Sequence, residues 1–118
     1  MSRLFSTFVL ASALLCGTAA NAQSTSEDVR CLLASNVFAK AEKDPGKQKT
    51  AVAAHFFYLG RIDGKLTPAQ LKAEFLAQGK TLDPASLGTT MTACAVRLRD
   101  RSAAVETIGA SLDQAAKK

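Results

Sequence analysis

The chain predicts an all-α fold: a small four-helix up-and-down bundle with a long C-terminal helix, stapled by one disulfide. Three observations carry this expectation. Two segments open with the same device, Thr67-Pro68 and Asp83-Pro84, in which a capping side chain precedes a proline at the first helical position. Apolar residues recur at spacings of three, four and seven, and no alternating run of strand type is present in the sequence. Cys31 and Cys94 stand far apart behind an N-terminal secretory pattern, which makes them a structural pair.

The secretory pattern covers residues 1–22. Arg3 supplies the positive start, Leu4 to Gly17 the apolar stretch, and Ala20-Asn21-Ala22 before Gln23 the small residues that signal peptidase reads. The expected product is a single helical domain, 23–118, in the periplasm or secreted, after cleavage near Ala22-Gln23. Cys16, the third cysteine, leaves with the signal: Leu15 precedes it where a lipid-anchor signal wants a small residue, and Ala13 sits where Leu is usual. Cleavage removes one basic residue and no acid, so the formal charge of +5 falls by one unit. The basic residues are scattered and read as a solvated cationic surface. Closing the long loop between Cys31 and Cys94 is worth about 4 kcal/mol in the chain-entropy model.

Helix by helix, the expectations are as follows. Thr25 with Asp28 has the form of a capping box, and Val29, Leu32, Leu33, Val37 and Phe38 continue at helical spacing to about Lys43. Asp44-Pro45-Gly46 reads as the turn that ends this helix. The second helix is expected over Lys47–Leu59. It is apolar nearly all round, through Val52, Phe56, Phe57 and Leu59, which places it in the middle of the bundle with Gly60 as its cap. The third runs from the Thr67 cap, with Gln70 completing the box and Leu66 stapling onto Leu71, to Gly79. The fourth starts at Asp83-Pro84, with Leu82 stapling onto Leu87. It carries a heptad through Met91, Leu98, Val105 and Leu112, with Leu87, Cys94 and Ile108 in the complementary series and Arg101 as a charged intruder. Unbroken to about Ala116 it measures roughly 50 Å, far longer than the first helix. Beyond Arg101 it must either bend back, with Ser102 as a possible new start, or overhang the bundle.

Few residues suggest chemistry. Asp63-Gly64-Lys65-Leu66 has the outline of a calcium loop. Aligned on Gly64, however, it puts Leu59, Arg61 and Gln70 where carboxylates are needed, so it reads as a turn. His55, the single histidine, is expected at a core edge; a pH-sensing role is its sharper reading, and no second ligand stands at zinc spacing. No nucleophile elbow, phosphate loop, catalytic carboxylate pair or nucleic-acid motif is present in the sequence. Neither enzymatic activity nor a cofactor, a metal or a nucleic-acid partner is expected. After the signal, no apolar run approaches the ~20 residues of a membrane span. Tyr58 and Arg61 form a candidate polar recognition spot, against a reading as a buried helix end; Arg97 and Arg101 read as a solvated face.

The order Cys31, Tyr58-Leu59-Gly60-Arg61-Ile62-Asp63-Gly64, Cys94 behind a signal resembles a group of small secreted bacterial helical proteins over nearly the whole mature chain. The resemblance implies the fold and the compartment, and no site residue. The general plan of a short helical chain with one disulfide is also similar to acid-stress chaperones of the HdeA kind, in architecture only. Two functional expectations result. The first is non-catalytic association through Val105, Ile108 and Leu112, with either a second copy or another periplasmic protein. The alternative is a chaperone that exposes apolar surface when acidified.

Overall fold

The computed structural model describes residues 23–117. The secretory signal expected at 1–22, with Cys16, lies outside them. The described chain folds into four helices: α1 (Thr25–Ala41), α2 (Pro45–Ile62), α3 (Pro68–Gly79) and α4 (Pro84–Ala115). Each starts on a side-chain cap. Thr67 and Asp83 cap α3 and α4 with full capping boxes through Gln70 and Ser86, and Pro68 and Pro84 take the expected first positions. The Asp83 carboxyl is held below the usual carboxylate range, first by the backbone N–H of Ser86 and then by its hydroxyl. That share of stability is present above the ordinary value and disappears as pH falls through the lowered one.

Three helix boundaries differ from expectation. The α1 cap is Ser24 with Glu27, one residue earlier than Thr25 with Asp28. The shift leaves the Asp28 carboxylate free to turn inward, where α2 supplies its partner. At the second boundary, Asp44-Pro45 begins a helix as well as ending one. Asp44 Oδ1 accepts the Lys47 N–H at 2.8 Å, Pro45 sits in the first turn of α2, and α1 stops at Ala41. The third lies at the end of α2, which passes through Gly60 to Ile62, and the left-handed residue is Gly64 (φ 73°). The extra turn buries Ile62 (4% exposed) and brings Arg61 onto α1.

The centre of the bundle is α1, not α2. It packs against all three other helices, α2 also meets α4, and α3 lies against α1 alone among the described helices. Fully buried small residues explain the close approach of α1 to α2: Ala34 and Ser35 on one, Ala51 and Ala54 on the other. The apolar breadth of α2 is therefore not all spent inward. Val52, Phe56 and Leu59 remain exposed at 40%, 65% and 42%. The core gathers Val29, Leu32, Tyr58, Ile62 and Met91 around a disulfide between Cys31 and Cys94, whose Cα atoms are 5.7 Å apart. The expected pair is thus present, clamping the first half of α1 to the first half of α4.

Candidate functional site

Two regions hold the residues singled out by the sequence: the polar end of the core, and the far end of α4. At the first, α2 delivers Tyr58 and Arg61 inward. Tyr58 is fully buried, and its hydroxyl donates to the Cys94 carbonyl at 2.9 Å, one residue position serving both the disulfide and this bond. The Arg61 Nε donates to Asp28 Oδ1 at 2.9 Å, and the guanidinium stacks 5.7 Å from the Phe57 ring centroid. Asp28 itself is fully buried. These contacts tie α2 to α1 and α4; the Tyr58 hydroxyl is closed off from solvent, while the Arg61 side chain remains a quarter exposed. Asp28 was missed in the sequence, although the signal was there: Asp28, Cys31, Leu32 and Ser35 share one face of α1, and all four are buried.

Burial pushes the Tyr58 phenol up to about 12; nearby Arg97 and Arg61 oppose the rise, and Asp28 adds to it. The folded state therefore holds the neutral phenol. Its contribution to stability is complete below the unfolded value near 10 and is lost as pH climbs towards about 12. Tyr58 is the single tyrosine and there is no tryptophan, so tyrosinate absorbance reports this group alone. We expect it to titrate late and together with loss of helical signal. Tyr58→Phe should cost about 1 kcal/mol at neutral pH and should blunt the alkaline transition, which circular dichroism would follow.

Elsewhere, the candidates do not converge on a reaction centre. His55 is half-buried at the seam between α2 and α1, the core edge expected for it, and stands edge-on to Phe56 with ring centroids 5.5 Å apart. Asn36, Lys40 and Val52 surround the same shallow hollow. The outline of a calcium loop is not a loop at all in its first part, because Leu59 to Ile62 are helical and Arg61 is bonded to Asp28. Among the described residues no group of three or more His, Cys, Asp or Glu side chains could hold a metal ion, and no helix is long and apolar enough to cross a membrane. An open groove of about 1050 Å³ lies where α2 and α4 diverge, with Phe38 and Met91 in its floor and Thr50, Gly88 and Ala95 among its walls. Small and hydroxyl-bearing residues make up most of its lining, with Glu42, Asp44 and Lys47 at one end. Arg101 is exposed, and the neighbouring Arg99–Asp100 pair at 3.3 Å is too open to contribute much.

The second region is the clearest feature of the surface. α4 continues as one helix past Arg101, so the long segment overhangs and does not fold back. At 32 residues it spans roughly 48 Å, against roughly 26 Å for the 17 residues of α1. Every described residue from Arg101 onward is exposed, and Val105, Ile108 and Leu112 are 68%, 59% and 64% accessible. By their spacing they prolong the face that carries Met91, Cys94 and Leu98 into the core. Inside the bundle that face is covered; outside it no described residue covers it. The chain matches no family model, no curated protein and no solved structure.

Proposed function

We propose that this is a non-catalytic protein of an oxidising extracytoplasmic compartment that acts by helix-mediated association, with the α4 overhang as its working surface. The observation that carries the reading is the exposed stripe Val105, Ile108, Leu112 on a helix that outruns its bundle. A bare helical extension cannot gain stability from packing on its own chain, and isolated helices of this length are marginal in water. A contiguous apolar face in that position fits a partner surface. The Cys31–Cys94 bond supports the compartment, because such bonds persist where thiols are oxidised.

The test separates surface from core. Ile108→Glu and Leu112→Glu should abolish association, read by cross-linking in cells that export the protein. The unfolding free energy of the purified chain should stay within ~0.5 kcal/mol, as for other surface substitutions. Loss of fold in these variants would show that the stripe is core, and the proposal would fail.

A further inference from the structure

We infer that the occupant of the overhang is the overhang of a second copy of this chain, laid antiparallel. In this arrangement Val105 packs on the partner's Ile108, and Arg101 comes beside the partner's Asp113. The inference rests on the association reading above and goes further by naming the partner and its orientation.

The heptad sets the contacts. Taking Leu98, Val105 and Leu112 as one series, the complementary one is Arg101, Ile108 and Ala115. When two such helices run antiparallel, each series meets the other. Val105 then faces the partner's Ile108, Leu112 faces the partner's Arg101, and Leu98 faces the partner's Ala115. A two-fold axis between Val105 and Ile108 generates the whole set, so the contact is isologous and closed.

Charge selects this direction over the parallel one. A parallel pair would set Arg101 against Arg101 at the root of the overhang, a like-charge contact at a core position. The antiparallel pair lays the Arg101 stem along the partner's Leu112, and the guanidinium then reaches the partner's Asp113. Both residues are exposed, and along one helix they lie about 18 Å apart, too far to pair within a chain. The flanks of the stripe, Ser102, Ala104, Gly109 and Ser111, are small and uncharged, so a second helix can approach closely with no like charge against it.

Length agrees with the same register. With Ala115 beside the partner's Leu98, each overhang ends where the partner's bundle begins. That end of the bundle joins the start of α1 to the end of α2, as the Asp28–Arg61 bond shows, and it carries Glu27 and Asp63. The tip that reaches it carries Lys117, so the ends are complementary as well. Three apolar residues a side make a small interface, of the size that weak, reversible associations use.

The experiment is sedimentation equilibrium on protein purified after export of the full chain, with its N-terminus and disulfide checked by mass. The inference expects a concentration-dependent dimer that Ile108→Glu turns into a monomer with unchanged circular dichroism. Arg101→Glu and Asp113→Arg should each weaken it roughly tenfold, because each places like charges together twice. The double variant Arg101→Glu/Asp113→Arg should restore it. A monomer at all concentrations overturns the second copy as partner while leaving the association reading to its cross-linking test. A dimer broken by Ile108→Glu but not restored by the double variant overturns the antiparallel register alone. A dimer indifferent to Ile108→Glu overturns the second copy as occupant of the overhang, and again leaves the association reading to its cross-linking test.

Discussion

Reduction of the Cys31–Cys94 bond is expected to lower the unfolding free energy by about 4 kcal/mol. The bond joins residues 63 positions apart, so breaking it releases a large share of the closed chain in the unfolded state. The folded state has little with which to offset the loss. Three of its ten buried apolar residues are alanine, and α3 contributes no buried residue. Domains of this size are stable by only ~5–15 kcal/mol, so the reduced protein should sit near its threshold. Urea titrations of oxidised and reduced protein, followed by circular dichroism, measure the difference. The signal lost should include the α4 overhang, since that stretch is helical by continuity with the clamped part of α4. A reduced protein within ~1 kcal/mol of the oxidised one would contradict the chain-entropy argument.

Arg61→Met should be the most damaging change at a position with solvent access, at about 3 kcal/mol. The reason is asymmetry within the pair. The Asp28 carboxylate is fully buried and its Oδ1 depends on Arg61, whereas the Arg61 side chain is a quarter exposed and can turn to water. Asp28 Oδ2 is already without a hydrogen-bond partner among the described residues. Removing the arginine leaves a buried charge with nothing on it; Asp28→Asn removes that charge and should cost less than half as much. Chemical denaturation of the two variants at neutral pH gives the comparison. Equal losses would mean that the pair acts through packing alone. The Arg61 guanidinium is held above its ordinary value, first by the hydrogen bond to Asp28. It therefore stays charged at any pH where the fold survives.

Helix starts were legible because caps are local. Thr67-Pro68 and Asp83-Pro84 need only their own four or five residues to act, and both stand where the sequence puts them. The Asp44-Pro45 start obeys the same rule but reads in the sequence only as a stop, because a proline after one helix looks the same as a proline opening the next. The end of α2 was not legible. Gly60 invites a cap, but a helix continues past glycine when the next turn has something to bury, and Ile62 and Arg61 do. The overhang was half legible. The heptad marks Val105, Ile108 and Leu112 as one face, and only the straight course of α4 shows that face bare.

By itself, then, the sequence determined the four helices, two of their four starting residues and the pairing of Cys31 with Cys94. Each depends on neighbours in the chain or on simple counting. The tertiary structure alone decided that α1 occupies the centre, that Tyr58, Arg61 and Asp28 spend their polar groups inside, and that α4 outruns its support. Those outcomes turn on which helices approach closely. Ala34, Ser35, Ala51 and Ala54 let α1 and α2 draw together, and side chains that small leave almost no periodic signature to read in advance.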